Sequence, residues 1–140
     1  MSDITYSLIE KANSDWGEKS PQGTACVALL EYLSGKNPNQ LSHITPGGLK
    51  LAIPHTSDES LWMALTYLAG ERMSALETRF EFYDDVADEY YELDVRALKE
   101  AESEGGFAHP RTGEMIKDYK DSILLFYRVG AALCNGVADD

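Results

Sequence analysis

Apolar residues recur every three or four positions along most of this chain, which is the spacing of an amphipathic α-helix. The pattern predicts a short helix over residues 4–12 and a second helix from Pro21 to Ser34. Ser20 suits the N-cap because its hydroxyl can accept from a free backbone N–H, and proline at the first helical position has no N–H to leave unpaired. The N-terminal part of the chain is therefore predicted to be helical.

The segment from Lys36 to Thr56 breaks this pattern. It contains three of the five prolines and the pair Gly47-Gly48, which predict a packed loop. Within it, residues 49–53 alternate between apolar and other positions, so a short strand is an equally good interpretation. A new helix is predicted to start at Thr56 or Ser57, both of which are good N-cap residues.

The longest run of helical spacing extends over residues 58–103. Apolar residues gather along one edge of a helical wheel and carboxylates along the other, which predicts one long helix or a helical hairpin. A last helix is predicted from Met115 to Leu133. The predicted fold class is therefore all-α, a small helical bundle forming a single acidic domain over residues 1–140. The long apolar stripe also favours self-association into a homo-oligomer.

The middle of the chain has an alternative interpretation. Residues 78–83 and 90–95 are rich in aromatic side chains and alternate with a period of two, with residues 84–89 as the turn between them. This predicts an α+β fold with a β-hairpin at about 78–95. The helical pattern covers more of the chain, and so the helix is the expected structure.

The charge of the chain is strongly one-sided. It has 24 Asp and Glu against 12 Lys and Arg, a formal net charge of -12. Such a chain repels phosphate backbones and anionic lipid headgroups, so no direct binding to nucleic acid or to a membrane is expected. The charge instead favours a basic protein as partner.

The cysteines and the N-terminus bear on the compartment. Cys26 and Cys134 lie in apolar stretches, no signal-peptide pattern precedes them, and no apolar run is long enough to span a membrane. A soluble, cytoplasmic protein with reduced thiols is expected.

Residues 77–104 hold most of the excess charge, with eleven acidic residues against three basic ones. A helix that displays carboxylates at every turn would imitate the phosphates of a nucleic acid and occupy the basic groove of a nucleic-acid-binding protein. The predicted function is a non-catalytic interaction protein of the inhibitor, immunity or adaptor type. The residues predicted to bind the partner are Glu77, Glu81, Asp84, Asp85, Asp88, Glu89 and Glu92.

The string Asp84-Asp85-Val86-Ala87-Asp88 supports a second hypothesis. It is similar to the aspartate-rich motif of the all-helical prenyl synthases, a resemblance of five residues that implies Mg²⁺ binding by Asp84, Asp85 and Asp88. The pairs Glu81/Asp84 and Glu89/Glu92 are likewise similar to the metal-binding pairs of small all-helical nucleotide pyrophosphatases. The alternative function is therefore a Mg²⁺-dependent, all-α phosphohydrolase using Glu81 and the three aspartates.

No other pattern indicates catalysis or a metal. His43, His55 and His109 fall in predicted loops without a metal-ligand spacing, and no nucleophile or phosphate-loop motif is present. We therefore expect no catalytic residue and no cofactor. Both functional hypotheses place their carboxylates on a helix spanning residues 58–103, so an extended backbone at 80–83 and 91–95 would remove the ridge on which docking was predicted.

Overall fold

The computed structural model describes residues 3–133, apart from the side chains of residues 38 and 39. The fold is α+β. The helices of this part of the chain are α1 (Asp3–Trp16), α2 (Pro21–Ser34), α3 (Pro46–Ala52), α4 (Asp58–Ala69) and α5 (Val95–Glu104), with 3₁₀ turns at Pro38–Leu41 and Tyr119–Ser122. The strands are β1 (Leu76–Asp84), β2 (Glu89–Leu93), β3 (Phe107–Ala108), β4 (Met115–Ile116) and β5 (Ile123–Val129).

The chain divides into two compact units. The helical unit comprises residues 1–78 and 127–140, and the hairpin unit comprises residues 79–126. One sheet has the strand order β2-β1-β5, and a two-stranded sheet pairs β3 with β4. Strands β1 and β5 each contain residues of both units.

The helical unit has an aliphatic core. Helix α2 packs against both α1 and α4, and Leu29, Leu30, Leu65 and Leu68 are fully buried there. The N-cap of α2 is the one expected from the sequence. The Ser20 hydroxyl accepts a hydrogen bond from the Gly23 N–H at 2.9 Å. The predicted helix over 21–34 is confirmed, and the predicted first helix is present and longer than expected.

The start of β1 and the end of β5 belong to the helical unit. The Gly130 N–H donates to the Ala75 carbonyl at 2.8 Å, and Ile44 and Tyr127 exchange two backbone hydrogen bonds of 2.7 Å. Glycine is required at position 130, because a Cβ there would lie 2.3 Å from the Ser74 carbonyl oxygen. These bonds hold the segment around Ile44 and the end of β5 in place.

The hairpin unit is built on antiparallel pairing of β1 with β2. Phe82 lies opposite Tyr91, and Tyr83 lies opposite Tyr90. Because directly opposed residues share a face, Phe82 and Tyr91 point to one side and the two other tyrosines to the opposite side. The first side packs on a core whose buried members are Phe82, Leu93, Ala101, Phe107 and Tyr119.

The prediction of an all-α bundle is wrong. Helix α4 ends at Ala69, and the predicted long helix over 58–103 is replaced by α4, the β1–β2 hairpin and α5. The long helix would have placed Phe82 and Leu93 on its wet side, whereas the hairpin buries them to 3% and 6% exposure. Burial of these two large side chains favours the extended backbone, which is the alternative that the aromatic alternation predicted.

Two further predictions need correction. Residues 115–129 of the predicted last helix over 115–133 instead form β4, a 3₁₀ turn and β5, since the apolar run from Ile123 can pair with β1. Residues 46–52 are helical rather than loop or strand, because the Thr45 hydroxyl caps the Gly48 N–H at 3.0 Å and Pro46 starts the helix. With the long helix gone, its apolar stripe no longer supports self-association.

Helix length bears on membrane crossing. The longest helices in residues 3–133, α1 and α2, have 14 residues each, and none in that range is long and apolar enough to cross a bilayer.

Candidate functional site

The carboxylates predicted to bind a partner lie on the β1–β2 hairpin rather than on a helix. Glu77, Glu81 and Asp84 are on β1, Asp85 and Asp88 are in the turn, and Glu89 and Glu92 are on β2. Glu77 belongs to the helical unit, where the Arg128 guanidinium donates to both its oxygens at 2.9 and 3.2 Å. The other six are in the hairpin unit. The ridge of regularly spaced carboxylates therefore does not exist.

Asp84 is held by a buried histidine. The Nδ1 atom of His109 accepts from the backbone N–H groups of Arg111 and Thr112 at 3.1 and 3.2 Å. The proton of the neutral ring therefore lies on Nε2, which donates to Asp84 Oδ2 at 2.8 Å. The other carboxylate oxygen of Asp84 accepts from the N–H groups of Val86 and Ala87. The bond from His109 lowers the pKa of Asp84, and the backbone bonds lower it further.

This Asp84–His109 pair is a structural brace rather than a catalytic dyad. Both ring nitrogens of His109 are engaged, and the ring is 7% exposed and packs edge-on against Phe82 and Tyr91. A general base or metal ligand needs a free lone pair, and the imidazole of His109 offers none in this arrangement because both of its nitrogens are hydrogen-bonded. The brace ties the β1–β2 turn to the loop after β3. The two residues are 25 positions apart, and no local pattern in the sequence marks the pair.

Glu81 and Glu92 lie directly opposite each other in the hairpin. Opposed like charges destabilise a sheet unless a cation lies between them. The Arg79 guanidinium donates to Glu92 at 2.6 Å, which offsets the repulsion. Glu81 itself is 8% exposed and so is not available at the surface. Sequence reasoning placed Glu81 among the partner-binding residues, and its burial makes it a component of the hairpin instead.

The turn of the hairpin carries the exposed acidic side chains. We call the exposed residues Asp85, Val86, Asp88, Glu89 and Tyr90 the acidic tip. Val86 is 94% exposed and Tyr90 is 58% exposed, with the Tyr90 ring 4.7 Å from that of Tyr83. The Tyr83 hydroxyl donates to Asp88 at 2.8 Å, which raises the pKa of Tyr83. The tip thus combines negative charge with apolar surface on an ordered turn.

A cleft of about 460 Å³ opens beside the turn within the hairpin unit. Its lining includes Arg111 and the carboxylates of Asp84, Asp85, Glu114, Asp118 and Asp121. All of these acids except Asp84 are exposed. Glu114, Asp118 and Asp121 were not among the residues predicted from the sequence, because they lie far along the chain from the turn. An excess of carboxylates around a concave surface attracts lysine and arginine side chains.

The predicted Mg²⁺ ligands do not form a metal site. Within residues 3–133, no three His, Cys, Asp or Glu side chains are grouped so as to hold a metal ion. The helical spacing that would have joined Asp84 and Asp88 on one turn is absent. Asp84 instead accepts from His109, and Asp88 accepts from Tyr83. The magnesium hypothesis was derived from a helical arrangement of Asp84 and Asp88, and these residues are not on a helix.

Cys26 is a core residue of the helical unit. Burial raises the pKa of its thiol to about 12, so it is not a thiolate nucleophile at neutral pH. Cys134 lies outside the described residues. His43 and His55 occupy exposed positions in the helical unit, as expected for loop histidines.

Comparison with known proteins adds no family to these observations. No protein-family model matches the chain, and neither a curated protein nor a solved structure matches it.

Proposed function

We propose that this chain is a non-catalytic interaction protein whose hairpin unit binds a basic protein. The observation that carries the proposal is the group of exposed carboxylates around the acidic tip and its cleft, next to exposed apolar side chains. The hairpin unit has thirteen acidic residues against six basic ones, a net charge of -7 within the -12 of the whole chain. A basic surface is the complement of this unit.

The physical basis is steering followed by anchoring. A concentrated negative field raises the rate at which a basic protein arrives, and the field is screened by salt. Aromatic side chains at the centre of a contact provide much of the binding free energy. Tyr90 supplies such an anchor, and Val86 adds exposed apolar surface beside it. A nucleic-acid-binding protein is one class of basic partner that this surface suits, in an inhibitor, immunity or adaptor role.

An interaction role also agrees with the way the polar groups of the hairpin unit are used. Asp84 and the buried imidazole of His109 are committed to internal hydrogen bonds. The exposed acids have no prepared metal geometry among the described residues. The phosphohydrolase alternative therefore has less support than docking.

A cytoplasmic location is part of the proposal. The free thiol of Cys26 is buried and unpaired, which suits a reducing compartment.

The decisive experiment compares two charge-reversal variants of equal net charge. The first combines Asp85→Lys, Glu114→Lys and Asp121→Lys at the tip and the cleft, all of them exposed positions. Partners captured at low salt are identified and then titrated as purified proteins against each variant. The tip variant should bind at least about tenfold more weakly than the wild type, because local attraction becomes repulsion.

The matched control carries Glu10→Lys, Glu18→Lys and Glu31→Lys on exposed positions of the helical unit. It has the same net charge of -6 as the tip variant, by the same three reversals from -12. It should retain most of the affinity. Equal losses in the two variants would mean that net charge alone attracts the partner, and the proposed site would then be wrong.

A further inference from the structure

Strand β2 lies at an edge of its sheet. In the order β2-β1-β5, one side of β2 pairs with β1, and no strand of residues 3–133 lies along the other side. No backbone–backbone hydrogen bond beyond the β1–β2 ladder involves residues 89–93 within the described chain. Alternate residues of an antiparallel strand direct their N–H and C=O groups away from the partner strand. This edge therefore presents main-chain donors and acceptors to another strand.

Natural edge strands are usually protected against unwanted pairing. The common devices are proline, a bulge, very short length or charged side chains. Strand β2 has five residues and no proline, and its register with β1 is continuous from Glu89 to Leu93. Its charges are Glu89 and Glu92, both exposed and both negative, and Glu92 is already paired with Arg79. The edge is therefore protected against acidic strands and open to basic ones.

A second copy of this chain is a poor occupant of the edge. Antiparallel pairing of two β2 strands about Tyr91 would bring together two units that each carry a net charge of -7. The acidic tips would then lie near the ends of the shared ladder. Like-charge repulsion opposes this dimer, whereas a lysine- or arginine-bearing strand gains attraction at the same positions.

We propose that a basic, extended segment of a partner protein adds to the free edge of β2 as a further strand. This inference rests on the proposed function and specifies how the basic partner binds. Main-chain hydrogen bonds to β2 supply affinity, and side chains supply selectivity. The segment has a basic residue facing Glu89 and, at the neighbouring position, an apolar residue facing the exposed ring of Tyr90.

The test uses a synthetic peptide of about ten residues in which lysine and valine alternate, a length typical of one strand. A matched peptide replaces two central valines with proline, so its charge is unchanged but it cannot complete a ladder. Both are titrated at low salt into the isotope-labelled full chain. The alternating peptide should bind and should slow amide hydrogen exchange within residues 89–93, while the proline peptide should bind about tenfold more weakly and protect nothing there.

A variant of the protein tests the charges at the edge. Glu89→Lys should weaken binding of the lysine peptide about tenfold by placing a cation at the start of β2. Glu104→Lys, at an exposed position at the end of α5, is the control of equal charge and should bind nearly as the wild type does. Equal losses in the two variants would contradict recognition at this edge.

The remaining outcomes separate this inference from the proposed function. Equal binding of both peptides without protection of β2 would overturn strand addition, while docking through side chains at the tip would stand. Slow exchange of all β2 amides in the free chain, together with a dimer in sedimentation, would show that a second copy occupies the edge and would overturn the inference. If neither peptide binds, strand addition is wrong. The proposed function is then tested separately, by the affinity of the captured partner for the two charge-reversal variants.

Discussion

The two units of this protein use their charges differently. In the helical unit, three acids form ion pairs, Asp15 with Arg72, Asp58 with Lys50 and Glu77 with Arg128. In the hairpin unit, the exposed acids Asp85, Glu114 and Asp121 form no ion pair with any cation of residues 3–133 and converge on one cleft. Paired charges contribute to the structure of the unit that contains them. An unneutralised group of like charges lowers stability but can attract a molecule of opposite charge.

Their cores differ as well. The helical unit buries leucines from α2 and α4, and the hairpin unit buries a few aromatic side chains around one hydrogen-bonded acid and imidazole. A leucine core tolerates loss at one position by partial collapse, but a small aromatic core has little material with which to fill a gap. We therefore expect the hairpin unit to be the more sensitive to single substitutions.

The largest effects should come from the two cores. Phe82→Ala should lower the free energy of unfolding by about 3–5 kcal/mol, and Leu65→Ala by about 2–5 kcal/mol, because each leaves a cavity. Urea titration followed by tryptophan fluorescence reports the helical unit, since Trp16 and Trp62 both lie there. Amide exchange reports the hairpin unit. A Phe82→Ala variant that is less affected than Leu65→Ala would contradict the expected ranking.

The brace at the turn should give the next largest effect. His109→Ala removes the donor to Asp84 and the acceptor for two backbone N–H groups, and should cost about 1–3 kcal/mol of stability. Faster amide exchange should be confined to the turn and to residues 109–114. His43→Ala, at an exposed position, serves as the control and should change the free energy of unfolding less than His109→Ala does. Unaltered exchange at the turn in His109→Ala would show that the brace does not order it.

A smaller, pH-dependent effect is expected in the helical unit. Hydrogen bonds from Arg72 and from the Tyr67 hydroxyl lower the pKa of Asp15 from 3.8 to about 2. Because the folded pKa is depressed, the stabilisation is fully present above the unfolded pKa and is lost as pH falls from about 4 through about 2. Asp15→Asn should flatten this part of a melting-temperature profile. A profile of unchanged slope in the variant would argue against the contact in solution.

The smallest effect concerns the thiol of Cys26. With its pKa raised to about 12 by burial, Cys26 should react with a thiol reagent at neutral pH only when the chain unfolds. The measurement uses Cys134→Ser, so that one thiol is followed, and compares native protein with protein in urea. Rapid labelling of the native variant would mean that the helical core opens more readily than its burial implies.

Local interactions were predicted well from the sequence. The cap at Ser20, the helix over 21–34 and a new helix beginning near Ser57 all depend on contacts within three or four residues. The helix end at Gly105 is also a local feature, since its φ of 73° is the left-handed conformation that glycine allows. In each case the residue that accepts or donates is a near neighbour in the chain.

The hairpin was harder to predict, because two periodicities coexist over the same residues. Apolar positions spaced by three and four also include pairs spaced by two, as at Phe80 and Phe82. The hairpin is favoured over the helix only if Phe82 and Leu93 can be buried in a core. That core is made by α5, β3 and the 3₁₀ turn near Tyr119. Of these segments, β3 and the 3₁₀ turn lie well along the chain from the hairpin residues that they bury.

By itself, the sequence determined the charge, the N-terminal helices and the position of the acidic segment, since these depend on composition and on short-range hydrogen bonds. Only the tertiary structure decided that the segment is a hairpin and that its acids are used differently. Asp84 is bound by His109 and Glu81 is buried, while Asp85 at the tip is exposed. Pairing between strands and contacts over 25 residues depend on which distant groups the fold brings together, and a linear pattern does not contain that information.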